Sequence, residues 1–250
     1  MKTVANRAIL RVSGPEARDF LQGLVSNDMR KLDQGAVYAA LLTPQGKYLF
    51  DFLLYPDGDD ILIDVASDRA ASLAQRLSMY KLRRKVEVAP TDLAVAWGEG
   101  DAPEGTFADP RDPALGWRQP VEAAGEAVDL ADRFVANTVP QSGVELIPDD
   151  SYILEMGFER LNGVDFRKGC YVGQEVTARM KHKTELKKGL VPVAIEGEAA
   201  PGTPIMAGEK EAGRLGAVHG DKALAYLRFD RAKGKLRAGE ATVIWDGTKP

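Results

Sequence analysis

The chain has 250 residues, 44% of them hydrophobic and 28% charged, with a formal net charge of −4. That balance supports a buried core in one large domain or several and excludes disorder as the main state, while the acidic excess disfavours general electrostatic capture of nucleic acid. A solitary cysteine, Cys170, excludes an intramolecular disulfide and a multi-cysteine zinc site; with no signal-peptide apolar region or membrane span in view, it predicts a soluble, cytoplasmic protein with no membrane partner.

Residues 7–12 read as a strand. Ser13 and Glu16 then form an S-x-x-E capping pattern ahead of Ala17, Phe20, Leu21 and Leu24, which recur at helical spacing. Residues 37–43 and 48–55 are β-rich runs joined by Pro44-Gln45-Gly46-Lys47, a hairpin signal. A turn at Pro56-Asp57-Gly58-Asp59 leads into a strand over 61–65. Ser67 is placed to cap a helix with the stripe Ala70, Leu73, Ala74 and Leu77, which ends at the basic group Lys81-Leu82-Arg83-Arg84-Lys85 before a strand over 86–89. This order predicts an α+β layer with antiparallel pairing rather than a doubly wound sheet.

Residues 99–125, rich in Gly, Pro, Asp and Glu, read as a turn-laden connection, and a helix is expected over 127–135. After Lys188 the chain turns to short strands, over 190–195, 212–219, 223–229 and 241–245, which predict a small C-terminal β-barrel or sandwich. The expected organisation is an α+β subdomain over 1–98, a second over 99–186 and the barrel over 187–250.

The most informative stretch is Arg167-Lys168-Gly169-Cys170-Tyr171-Val172-Gly173-Gln174-Glu175. Neighbouring cations and a helix starting near Gln174 would both favour the thiolate of Cys170, and the glycines would let the backbone turn tightly and approach a ligand. Free cysteines are also common as small buried hydrophobes, and composition leaves both roles open. From residue 160 to residue 188 the chain is basic by about five charges. That tract, including Lys181 to Lys188, reads as a solvated face or a partner contact. Its lack of interleaved aromatics argues against nucleic acid as a direct ligand.

Lys168 through Glu175 resembles the K-G-C-Y-x-G-Q-E signature of the YgfZ family, folate-binding relatives of the glycine-cleavage T-protein (GcvT-like) that act in iron–sulfur protein maturation. The likeness extends to Asn162-Gly163-Val164-Asp165-Phe166, to Val176 through Met180, to Ser26-Asn27-Asp28 and to Leu41 through Lys47 followed by Asp51. It implies α+β subdomains and a barrel around a central folate-sized channel. It also implies tetrahydrofolate as cofactor, and iron–sulfur proteins or their assembly factors as partners, tRNA-modifying enzymes among the clients.

On that resemblance Cys170 and Asp51 are the reactive candidates. Lys168, Gly169, Tyr171, Gly173, Gln174, Glu175, Arg179 and Asn27 are the candidates for holding the folate. Gln174, Glu175, Asp51 and Asn27 can accept from a pterin N–H edge, Lys168, Arg167 and Arg179 suit a glutamate tail, and Tyr171 could stack on the ring. Glu175 and Arg179, at i and i+4, could equally form a surface pair.

One cysteine and two histidines, His182 and His219, cannot enclose a cluster that takes four protein ligands, so no resident metal or self-contained iron–sulfur cluster is expected. The sequence thus points to a folate-dependent maturation factor rather than a classical enzyme. A tetrahydrofolate-dependent aminomethyl or methyl transferase is the alternative, and a tRNA-binding module a weaker one.

Overall fold

The computed structural model describes residues 1–183 and 185–249. They form two compact units that interleave along the chain: Met1–Asp129 with Glu159–Gln174, and Leu130–Phe158 with the chain from Glu175 onward. This division differs from the consecutive spans 1–98, 99–186 and 187–250, because strand pairing joins both sides of residue 98 and the cysteine segment returns to the first unit.

The first unit contains β1 (Lys2–Val4), β2 (Arg7–Ser13), α1 (Ala17–Gln22), β3 (Val37–Leu42), β4 (Tyr48–Asp57), β5 (Asp60–Ala66), α2 (Ala70–Lys81), β6 (Glu87–Pro90), β7 (Ala94–Gly98), β8 (Phe107–Ala108), β9 (Trp117–Val121) and β10 (Glu126–Val128). One five-stranded sheet has the order β3-β4-β5-β2-β6 and is antiparallel throughout. The other has the order β10-β1-β7-β9-β8, with β1 and β10 parallel.

The strands β3, β4 and β5 read as continuous apolar runs, yet the strand period of two sorts them into distinct faces. Ala39, Leu41, Phe50, Phe52, Leu54, Ile61, Ile63 and Val65 pack with Phe20 and Leu21 of α1 and Leu73 and Leu77 of α2 in one core. Full burial of each large apolar side chain there stabilises by about 1.5–3 kcal/mol. Tyr38, Asp51, Tyr55 and Asp64 alternate with that set and carry a buried polar network.

That network joins the two sheets. Asp64 of β5 accepts from Arg7 Nε at 2.5 Å, from Tyr55 Oη at 3.1 Å and from Arg118 of β9 at 3.3 Å. Arg118 also donates to Asp109 at 3.0 Å, and Asp109 accepts from Arg111 at 2.9 and 2.6 Å. The Arg111 guanidinium lies 5.4 Å from the Tyr38 ring centre. Each buried charge therefore has an opposite charge or several hydrogen bonds to offset its desolvation.

Several local expectations yield to tertiary contacts. Ser13 is the last residue of β2, paired with Glu87, and forms no capping box. The Glu16 carboxylate instead accepts the Lys85 N–H at 2.6 Å. Ser67 opens a short 3-10 turn, and α2 begins at Ala70. The connection expected over 99–125 contains β8 and β9, because pairing of β9 with β7 overrides its Gly and Pro content. Residues 126–128 add a strand beside β1, so the helix expected over 127–135 is confined to α3 (Ala131–Ala136).

The second unit holds α3, most of α4 (Gln174–Lys183), β11 (Lys188–Glu196), β12 (Pro204–Ala207), β13 (Lys210–His219), β14 (Lys222–Arg228), β15 (Leu236–Ala238) and β16 (Ala241–Ile244). The six strands close into a barrel in the order β11-β14-β13-β12-β15-β16, as expected of the C-terminal segment. The short strands β12 and β15 escape periodicity because three or four residues hold too few alternations. Buried Glu145 accepts the N–H groups of Gln141 and Ala217, the latter at the irregularity between Leu215 and Val218. Among the described residues no helix is long and apolar enough to cross a membrane.

Burial alone would raise the Asp109 carboxyl, but Arg111, by charge and hydrogen bond, and Arg118 outweigh it and hold it at about 2, against an ordinary 3.8. Between these values the unfolded chain binds more protons, so this stabilisation is complete above pH 3.8 and is lost as pH falls through about 2. Denaturant titrations across that window should show the wild type weakening with acid. Asp109→Asn should be less stable at neutral pH and flatter below pH 4; a wild-type acid slope in that variant would show the effect to lie elsewhere.

Candidate functional site

The segment before the cysteine is turned by Asp165, whose Oδ1 accepts the N–H groups of Arg167 at 2.7 Å and Lys168 at 3.2 Å. Its other oxygen is 2.7 Å from the ammonium of Lys31. The turn sends Lys168 inward, where its side chain, 5% exposed as a residue, donates to the carbonyls of Gln22 at 2.7 Å, Val25 at 2.6 Å and Asn27 at 2.9 Å. The Tyr171 ring centre lies 5.0 Å from the same ammonium. Burial pushes the lysine pKa down to about 8, against the upward pull of Asp28 and Asp165.

Lys168 therefore has its three hydrogens on three backbone oxygens. As placed it offers none to a glutamate tail, and it ties the cysteine segment to the loop after α1. Asn27 is similarly engaged: its amide donates to the Tyr38 and Asn162 carbonyls at 2.8 and 2.6 Å, and its oxygen accepts from the Asp28 N–H and the Lys31 ammonium. Tyr171 is buried against Lys168 rather than presented as an open stacking face.

The two glycines differ. Gly173 has φ +83°, and a Cβ there would lie 2.6 Å from the Thr43 carbonyl oxygen in the hairpin turn, so the close approach requires glycine. At Gly169 a Cβ meets nothing, and no special backbone demands it. Val172 packs against the first-unit core, and Gln174 Oε1 accepts the Tyr171 N–H at 3.1 Å. Cys170 is a free, exposed thiol on this anchored loop, which settles the choice between buried hydrophobe and presented group. Glu175 and Arg179 are exposed on α4, with no ion pair between them among the described residues. His182 is also exposed; the basic tract that follows includes Lys183, whose side chain, with Thr184, lies outside the described residues.

Asp51 is separate from this loop in its contacts. It is 9% exposed and accepts from Tyr48 Oη at 2.8 Å and Tyr38 Oη at 3.1 Å. Burial, then the Asp51 charge, pushes the Tyr38 phenol well above its ordinary value, so Tyr38 stays a donor. Sequence reasoning missed Tyr38, Tyr48 and Arg111. Strand alternation and the pairing of Ala40 with Asp51 could have found Tyr38, whereas Tyr48 reaches Asp51 through the irregularity between Leu41 and Leu42, which leaves no periodic signal. Arg111 was hidden in a run of Asp and Pro read as a turn.

The fold is that of the glycine-cleavage T protein. The crystal structure of the glycine cleavage system aminomethyltransferase T from Bartonella henselae superposes with a TM-score of 0.74 over 97% of this chain and 83% of that one, at 12% identity. Residues 187–247 match the family described as CAF17, C-terminal beta-barrel domain. The chain is 34% identical to the iron–sulfur cluster assembly factor IBA57, mitochondrial, of Mus musculus, across 92% of this chain and 78% of that protein. It is 31% identical to the Homo sapiens protein of that name, across 95% and 80%. The homolog from Neurospora crassa is 32% identical, across 80% and 55%.

The chain belongs to the IBA57 family. The relatives bear that name rather than YgfZ, and they correct one expectation: all three are named mitochondrial, which overturns the cytoplasmic assignment. An unpaired cysteine is compatible with any reducing compartment and does not single out the cytosol.

Lys168→Ala would orphan three inward-facing carbonyls and should cost about 2–4 kcal/mol of stability. Gly173→Ala should also destabilise, through both strain and the Thr43 contact. Thermal unfolding of the two variants checks this, and unchanged midpoints would remove the anchoring role.

Proposed function

We propose that this chain acts in iron–sulfur cluster assembly by presenting the Cys170 thiol as one ligand to a cluster shared with a partner assembly protein. The observation that carries the proposal is the contrast within the motif: Lys168, Tyr171, Val172 and Gly173 are anchored, while Gly169 and Cys170 are exposed. Among the described residues no group of three or more His, Cys, Asp or Glu is placed to hold a metal ion. Because clusters usually take four protein ligands, the partner supplies the others and the cluster is cargo. The mouse and human relatives, named as iron–sulfur cluster assembly factors, support this role.

The test is anaerobic reconstitution of wild type and Cys170→Ser with ferrous iron and sulfide in the presence of a cysteine-bearing iron–sulfur assembly protein. Visible absorption co-eluting with the complex should fall about tenfold or more in Cys170→Ser. Undiminished absorption in that variant would exclude the thiol as a ligand.

A tetrahydrofolate site involving Asp51 is the second part of the proposal, favoured by the carboxylate's partial engagement. An ionised carboxylate has roughly four acceptor positions, and Asp51 accepts from two tyrosine hydroxyls. It fits the N–H edge of a pterin. Lys168 and Asn27 do not fit as ligands because their polar atoms are engaged, so exposed Arg167 is the cation of the first unit suited to a glutamate tail. Bound folate would supply a one-carbon carrier; the chain's own part is to accept and orient the pterin. Transferase activity and tRNA binding have no observation in their favour beyond the shared fold and the basic tract.

Tetrahydrofolate titration should show binding to wild type and about tenfold or greater weakening in Asp51→Asn. No binding to the wild type would sink the folate site and leave the cluster proposal standing.

A further inference from the structure

The turn that closes α2 is built against its own local preference. Leu82 follows the last helical residue with φ 46° and ψ −108°. Glycine adopts positive φ freely, whereas a leucine held in such a region costs on the order of 1–3 kcal/mol. The Leu82 side chain is also 86% exposed, and Met79 on the final turn of α2 is 65% exposed. A large apolar group on strained backbone, left in water, contributes nothing to folding that glycine would not exceed.

The turn is nonetheless held firmly. The Arg84 N–H donates to the Lys81 carbonyl at 2.8 Å, the Lys85 N–H donates to Glu16 at 2.6 Å, and the Arg84 guanidinium is 4.0 Å from the same carboxylate. The Lys85 carbonyl packs on Gly14, where a Cβ would come within 2.3 Å of its oxygen. Beside the turn opens a groove of about 690 Å3 lined by Glu16, Tyr80, Lys81, Leu82, Arg83 and Arg84. Cations dominate the lining, and Lys85 adds another next along the chain; the carboxylate of Glu16 is engaged by the turn itself. This is a local inversion of charge in a chain whose net charge is −4.

We propose that this groove docks a segment of a partner protein in which an apolar side chain is flanked by carboxylates. Leu82 and the Tyr80 ring provide the apolar contact, and Lys81, Arg83 and Arg84 provide the complementary charge, which would also steer the encounter. A lipid surface would satisfy the cations, but peripheral membrane binding uses an extended apolar face on an amphipathic helix, whereas this site is a concave groove beside one projecting leucine. The residues involved are distinct from Cys170, Lys168 and Asp51, so the inference stands independently of the cluster and folate proposals.

The full chain can be tested by fluorescence anisotropy with a labelled helical peptide bearing Leu and Phe on one face and Glu elsewhere, its Lys-for-Glu counterpart, and phosphatidylcholine vesicles with and without phosphatidylserine. The acidic peptide should bind, the basic one should not, and binding should weaken with salt. Leu82→Gly should keep or raise the thermal midpoint, because it relieves the backbone, yet weaken peptide binding about tenfold; Arg83→Glu should weaken it comparably. Failure of the acidic peptide to bind, or equal binding by Leu82→Gly, would overturn the proposal. Binding to phosphatidylserine vesicles without binding to the peptide would overturn it in favour of anionic lipid.

Discussion

The buried ammonium of Lys168 is the constraint on which the candidate site depends. It meets three carbonyls that lie 146, 143 and 141 positions earlier in the chain. A charge inside a protein is tolerated only when its hydrogens are taken, and inward-facing carbonyls only when they receive donors. The lysine and the loop after α1 therefore require each other. That mutual requirement accompanies the return of residues 159–174 to the first unit, the covering of the Tyr171 ring and the close seating of Gly173 on the hairpin. What is left outward is the thiol.

A second set of buried charges plays the same part between the two sheets of the first unit. Asp64 and Arg118 meet across the sheets, and Asp109 and Arg111 extend the chain of contacts toward Tyr38, whose hydroxyl ends on Asp51. Removing one member would leave a neighbouring buried charge with fewer partners to offset its desolvation, which costs more than the pair itself contributes. Asp51 differs from the other carboxylates of this set in that tyrosine hydroxyls bond it directly, while Arg7 and Arg111 act on it by charge alone.

Much of the first unit was legible because long strands and helices repeat a period many times. The strands around the hairpin at 44–47, the helices carrying Phe20 and Leu73, and the longer barrel strands all carry that signal. Caps were misread at Ser13 and Ser67, since a serine oxygen competes with strand pairing and with a 3-10 turn for the same few residues. Within 99–125, β9 is illegible because its longer pairing is to β7, outside that stretch, and β8 because two residues hold no alternation. At the site, Cys170 and its flanks were found from residue chemistry, but the direction in which each side chain points was not.

The sequence by itself determined the α+β composition, the C-terminal barrel and the presence of a single cysteine, because these follow from local periodicity, residue type and count. Only the tertiary structure decided that Lys168 and Asn27 turn inward to bind backbone, that Cys170 faces out, and that Tyr38 and Tyr48 converge on Asp51. The physical reason is that hydrogen-bond satisfaction in a buried region is a property of groups brought together from distant positions, and neither spacing nor composition records which carbonyl will meet which ammonium.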